Sequence, residues 1–158
     1  MIQTRTLLLS VAAACIAAFG AALYLQHAMD MLPCPLCVIQ RYLFLAIAVF
    51  CLIGAYGMPK TGAALALLAA IGGLGTAGRH LWVLGHPGLS CGIDPMETIL
   101  NRVPTATYLP FLFRADGMCE DALAPVLGLS VPQWSFVCYG LCALVLAWAL
   151  VRRNRRAY

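Results

Sequence analysis

Polar and apolar positions separate into blocks along this chain. Its ten basic and six acidic residues are clustered, leaving uncharged stretches at 6–29, 42–59, 61–78 and 122–151, each able to hold most or all of a span of about 20 residues. The pattern predicts an all-α integral membrane protein. Four transmembrane helices are expected over 6–26, 35–57, 62–84 and 131–151 of a single domain covering 1–158. Gly57-Met58-Pro59-Lys60-Thr61 reads as a tight turn between the second and third. Val131-Pro132-Gln133-Trp134 starts the fourth, with proline tolerated in the first turn and tryptophan suited to the interface. Gly72, Gly73, Gly75 and Gly78 are small residues of the kind that let neighbouring helices approach closely.

Composition agrees with that reading. With 63% hydrophobic and 10% charged residues, the chain carries more apolar surface than a soluble domain of this size could bury. The formal charge of +4 changes the picture only through its distribution. Arg152, Arg153, Arg155 and Arg156 follow the last span, Arg5 precedes the first, and Lys60 lies between the second and third. The positive-inside rule then predicts both termini in the cytoplasm and two outer loops, 27–34 and 85–130. The N-terminal apolar run continues through Leu25, past the 7–15 residues or so of a signal peptide core, and is expected to span.

The second outer loop, roughly 45 residues, is too long for a mere connector in so small a protein and is expected to be functional or disordered. Its Tyr108-Leu109-Pro110-Phe111-Leu112-Phe113 run argues against disorder. That run is suited either to the membrane surface or to packing within the loop.

Topology sorts the eight cysteines. Cys15, Cys51, Cys138 and Cys142 fall inside spans and read as small packing residues. Cys34, Cys37, Cys91 and Cys119 fall in the outer loops or at their edge, sharing one oxidising compartment where two disulfides can form. Three pairings are possible. Proximity along the chain favours Cys34 with Cys37 and Cys91 with Cys119. The longer loop gains roughly 3–4 kcal/mol from closure in the chain-entropy model, the CxxC loop about half of that, and such close pairs are commonly exchange sites.

Arg41 sharpens the CxxC. It stands four residues after Cys37 and roughly 5 Å inside the outer membrane boundary, counted at 1.5 Å per residue. Its guanidinium can lie near Cys37 on one helix face, and the helix N-terminus adds partial positive charge. Both favour a Cys37 thiolate. The competing role for Arg41 is to snorkel to lipid phosphates. A thiolate and a cation at the lipid edge suit an apolar electron acceptor dissolved in the bilayer, for which a quinone is the obvious candidate. Haem attachment is excluded, since Val38 follows Cys37, and no Gly-rich nucleotide motif occurs.

The order of these features resembles the bacterial disulfide-bond formation protein B family, DsbB, over nearly the whole chain. The resemblance rests on Gln26-His27, Pro33-Cys34-Pro35-Leu36-Cys37, Gln40-Arg41, Pro59-Lys60, Arg79, Cys91, Gly117-Met118-Cys119-Glu120 and Gly128-Leu129-Ser130-Val131-Pro132-Gln133-Trp134. It implies an inner-membrane oxidase that reoxidises a periplasmic DsbA-like thioredoxin-fold protein and passes the electrons to ubiquinone or menaquinone. That route is the general means by which a bacterial periplasm is kept oxidising. Carried onto this chain, the resemblance implies that the partner attacks Cys91 of a Cys91–Cys119 disulfide, Cys119 attacks Cys34, and Cys37 emerges as the thiolate beside Arg41.

The chain departs from the family pattern at Gln40, where an acid can stand. His80 and His86 align ambiguously with a family histidine, and both are expected to be interfacial. Three other readings remain: a paralogue serving a dedicated partner, a tetraspan protein whose four outer cysteines hold copper(I) or zinc, and a structural tetraspan held by one disulfide staple.

Overall fold

The computed structural model describes residues 2–86, 95–119 and 125–155. Among them, helix is the dominant structure, and the one β contact is an isolated bridge between Val126 and Leu129. Four helices are long and apolar enough to cross a membrane: α1 (Ile2–Ala28), α2 (Pro35–Tyr56), α3 (Pro59–Leu84) and, at the end of the chain, α7 (Val131–Arg155). Among the described residues between α3 and α7 lie three short helices, α4 (Pro95–Asn101), α5 (Pro104–Tyr108) and α6 (Pro110–Phe113).

Local chemistry sets these boundaries. Proline opens α2, α3, α5 and α6 at N1 or N2, where its missing N–H is no loss and its fixed φ already suits a helix. Pro59 therefore starts α3 inside the turn expected at 57–61, while the Gly57 N–H returns to the Ile53 carbonyl at 2.9 Å to close α2. At the start of α7, Gln133 Oε1 accepts from the Ser130 N–H at 2.8 Å. That is the return half of a capping box.

The helices pack in sequence, α1 on α2, α2 on α3 and α3 on α7, whereas α1 and α7 touch little. Leu8, Cys15, Ile47, Cys51, Ala66, Ala70, Tyr139 and Leu146 form the core of the bundle. Cys15 and Cys142 meet at one of the few α1–α7 contacts, sulfur to sulfur 3.8 Å, and Cys15, Cys51 and Cys142 are buried as free thiols.

Tyr139 links the fourth span to the second. Its ring stacks on Phe44 with centroids 4.1 Å apart, and its hydroxyl donates to the Gln40 carbonyl at 2.6 Å. Gly73 makes room for that ring, since a Cβ there would overlap Tyr139. Close approach in α3 is thus needed at Gly73. Added carbons at Gly72 and Gly78 would make only ordinary contacts, and one at Gly75 would meet nothing within 4 Å.

The short helices are tied to the bundle through α2. Phe113 is buried, stacks on Tyr42 with centroids 4.6 Å apart and tilts against Phe19 at 6.2 Å. The Tyr42 hydroxyl also hydrogen-bonds Thr105. Tyr108 and Phe111 stay exposed. The aromatic run therefore divides between packing and an outward apolar face.

Candidate functional site

The CxxC is the first turn of α2. Cys34 is the N-cap residue, with extended backbone at φ −76° and ψ 166°, and its sulfur accepts the Cys37 N–H at 3.3 Å. An N-cap side chain normally reaches the N–H of N2 or N3, so capping draws Cys34 Sγ to the N3 residue. That residue is Cys37, and the two free thiols stand 2.9 Å apart, sulfur to sulfur. The helix terminus consequently directs this N–H at Cys34. Cys34 is wholly buried and Cys37 half-buried. The hydrogen bond shared with Cys37, and then burial, push the Cys34 thiol above its ordinary range.

His80 of α3 is fully buried beside this pair, contrary to the interfacial place expected of it. Its Nε2 lies 3.8 Å from Cys34 Sγ and 3.5 Å from the Cys119 carbonyl oxygen. His86 is exposed at the end of α3, with Nδ1 2.8 Å from the Trp82 carbonyl.

The segment that follows α6 delivers Cys119. The N–H groups of Asp116 and Gly117 both donate to the Pro33 carbonyl, at 3.2 and 3.1 Å. A Cβ on Gly117 would overlap the Leu32 backbone, so the segment can lie this close only with glycine there. Asn101 braces it from α4, accepting from the Ala115 N–H at 2.9 Å and donating to the Ala115 carbonyl at 3.0 Å. Cys119 is disulfide-bonded and buried in one apolar cluster with Cys34 and Leu36. Cys91, expected to complete the outer pair, lies outside the described residues.

Arg41 is only 5% exposed. It does not snorkel. Nη1 donates to Gln26 Oε1 at 2.6 Å and to the Leu112 carbonyl at 2.7 Å, and Nη2 reaches the Ala22 carbonyl at 3.4 Å. Gln26 in turn donates to the Phe111 carbonyl at 3.1 Å, so α1, α2 and α6 meet at one guanidinium.

Beneath this knot, where α1 and α7 stay apart, lies a cavity of about 330 Å³. Phe19, Phe44 and Trp134 line it with apolar surface, and Cys37, Gln40 and Arg41 bring the polar groups. Gln40 is 4% exposed, and its Nε2 has no hydrogen-bond partner among the described residues. A buried donor left unpaired costs about 1–3 kcal/mol, which a carbonyl-bearing guest could recover. A flat apolar molecule with hydrogen-bond acceptors fits this lining.

A closed metal centre fits less well. The two sulfurs and His80 Nε2 lie within 4.8 Å of one another, but two thiolates on one tetrahedral zinc stand about 3.8 Å apart, against 2.9 Å here. A metal-binding histidine also normally gives its second nitrogen to an acceptor. His80 Nδ1 has no partner among the described residues.

The model of the family described as "Disulfide bond formation protein DsbB" matches residues 4–149. The chain belongs to the DsbB family. A protein named "Disulfide bond formation protein B" from Herminiimonas arsenicoxydans is 51% identical over 157 residues, covering 98% of this chain and 99% of the relative. A protein of the same name from Ralstonia nicotianae is 43% identical over 156 residues, 98% of each chain. "Disulfide bond formation protein B 1" of Pseudomonas syringae pv. syringae is 43% identical over 149 residues, 91% of this chain and 88% of the relative.

Membership makes this a disulfide-bond-formation membrane protein of redox character. Within the chain, Cys34, Cys37 and Cys119 come together around His80, while Cys37 and Arg41 share the cavity. Sequence reasoning missed His80 as a neighbour of the pair and Gln26 as the partner of Arg41. Gln26-His27 stood among the family motifs as the only signal for the latter.

Proposed function

We propose that this chain is a protein-dithiol:quinone oxidoreductase of the bacterial inner membrane, which reoxidises a DsbA-like thioredoxin-fold protein in the periplasm. Both termini then lie in the cytoplasm, and Cys34, Cys37, Cys91 and Cys119 face the periplasm. The observation that carries this reading is the position of Cys37. It touches Cys34 on one side and lines the apolar cavity with Arg41 on the other.

The thiol steps balance as exchanges. A thiolate of the partner attacks Cys91, breaking a Cys91–Cys119 bond and releasing Cys119 as thiolate. Cys119 then attacks Cys34 of the oxidised inner pair. A Cys34–Cys119 bond forms, and Cys37 leaves as the thiolate. The packing of Cys119 against Cys34 supports this direction, because the attack needs only a local shift once Cys119 is free. The partner's second thiol completes its own disulfide and releases Cys91, which recaptures Cys119 and leaves the inner pair reduced.

Ubiquinone or menaquinone, bound in the cavity, supplies the two-electron sink. Arg41 would hold a developing oxyanion, Gln40 Nε2 would meet a carbonyl, and the aromatic lining would keep water away. Purified protein given a reduced thioredoxin-fold partner should reduce added quinone. Continued turnover in Cys37→Ser would sink the mechanism. In a Cys119→Ala variant Cys91 is left as a thiol, so mixing with the oxidised partner should accumulate a mixed disulfide between Cys91 and that partner, identifiable by mass.

A further inference from the structure

We propose that His80 is the acid–base group of the inner pair: its Nε2 takes the Cys34 proton as the Cys34–Cys37 bond closes and returns it when Cys34 is released. This deepens the relay proposed above and rests on it for the sequence of events.

The argument begins with what Nε2 faces. On one side is a thiol, Cys34 Sγ at 3.8 Å, and on the other a carbonyl oxygen, that of Cys119 at 3.5 Å. An S–H is a donor and a carbonyl an acceptor. Nε2 therefore has a partner whether it carries a proton or not, as a proton carrier needs. The ring is fully buried, and Nδ1 has no partner among the described residues. A histidine kept only for packing would gain by satisfying or losing that nitrogen.

Cys34 also needs a carrier. It is wholly buried, and the bond to Cys37 together with burial raises its affinity for the proton. Bulk water does not reach it. Among the described residues, the titratable groups facing His80 are Cys34 and Cys37 at the start of α2. The third segment packed on the ring presents the carbonyl of Cys119, whose sulfur is in a disulfide. Arg79, its neighbour on α3, lies over the Trp82 ring 4.9 Å from the centroid.

The step balances. A Cys34 thiol and a Cys37 thiolate become one disulfide, the proton moves to His80 Nε2, and an electron pair leaves for the two-electron acceptor. In the reverse half, recapture of Cys119 by Cys91 breaks the Cys34–Cys119 bond. Cys34 departs as a thiolate and regains the proton from Nε2.

Closure of the pair can be followed without quinone. Full-length protein, reduced and stripped of quinone, is treated with saturating diamide, a two-electron and two-proton acceptor, and the Cys34–Cys37 bond is counted by alkylation and mass between about pH 6 and about pH 9. His80→Gln and His80→Ala should each close about 100-fold more slowly near pH 7, the scale of a lost general base. The deficit should narrow as pH rises, and imidazole should restore part of the rate in His80→Ala alone. His80→Gln closing at the unaltered rate with the unaltered pH profile would overturn the proposal, as would slowing that is equal at every pH. If His80→Ala does not fold, the near-isosteric His80→Gln decides, with its disulfide at Cys119, counted before reduction, as the check of folding. Failure of the relay itself would look different: diamide would close the unaltered pair with the expected profile, yet reduced partner would not open it.

Discussion

Arg41 Nη1 donates to the backbone carbonyl of Leu112 at 2.7 Å. One hydrogen bond thus joins the cation at the apolar cavity to the loop that carries Cys119. The Gln26 side chain closes the same knot, accepting from Arg41 at 2.6 Å and donating to Phe111 at 3.1 Å. Cation and loop are therefore positioned together, and a displaced loop would change which acceptors Arg41 meets.

Gln26→Ala should loosen Arg41 without removing its charge. A hydrogen bond to a charged group contributes roughly 1.5–3 kcal/mol. The apparent KM for quinone is expected to rise about tenfold, with kcat less affected. Steady-state kinetics at varied quinone tests this, and an unchanged KM would show that Arg41 is held well enough by the carbonyls of Leu112 and Ala22.

Two glycines of α3 should respond oppositely. Gly73→Ala forces a carbon into the Tyr139 ring and should destabilise the protein by about 1–3 kcal/mol, as overpacking does. Gly75→Ala enters open space and should be neutral or stabilising by up to about 1 kcal/mol through helix propensity. Thermal unfolding in detergent compares them.

Cys34 predicts a pH dependence with a definite sign. Its affinity for the proton is raised in the folded state, so the folded chain keeps the proton after the unfolded chain has lost it. The contribution to stability is full below the ordinary thiol value of about 8.5 and declines as pH rises above it. Reduced protein should therefore lose stability on the alkaline side. Cys34→Ser should flatten that slope, whereas an equal slope in the variant would assign the effect elsewhere.

The span cysteines should be dispensable for the chemistry. Cys15, Cys51 and Cys142 are buried in the bundle core as free thiols. Replacing all three by alanine is expected to preserve quinone reduction at a cost of roughly 1 kcal/mol each. Turnover falling in proportion to the loss of outer-pair disulfides would be required if any of them exchanged with the relay.

Alkylation should separate the inner thiols. Cys37 is half-buried and Cys34 wholly buried, so a maleimide should label Cys37 first and Cys34 only on unfolding. Peptide mass mapping of briefly treated, reduced protein reads the order.

The four long apolar helices, and the division of the described cysteines into helix-interior and loop-edge positions, were legible in the chain itself. Each depends on how many apolar residues lie between charges and on spacing along one helix, which are local quantities. The CxxC was equally legible as a close pair, since one capped turn of helix brings its sulfurs together. What tertiary structure alone decided is which helix faces meet. His80 lies 46 residues from Cys34, and nothing in the sequence of α3 distinguishes an interfacial histidine from one turned onto another helix's first turn. Gly73 and Gly75 look alike in sequence, and the rotation of α3 against Tyr139 separates them. Leu112 reached Arg41 through its backbone carbonyl, a group every residue carries, so no side-chain pattern could have announced that contact.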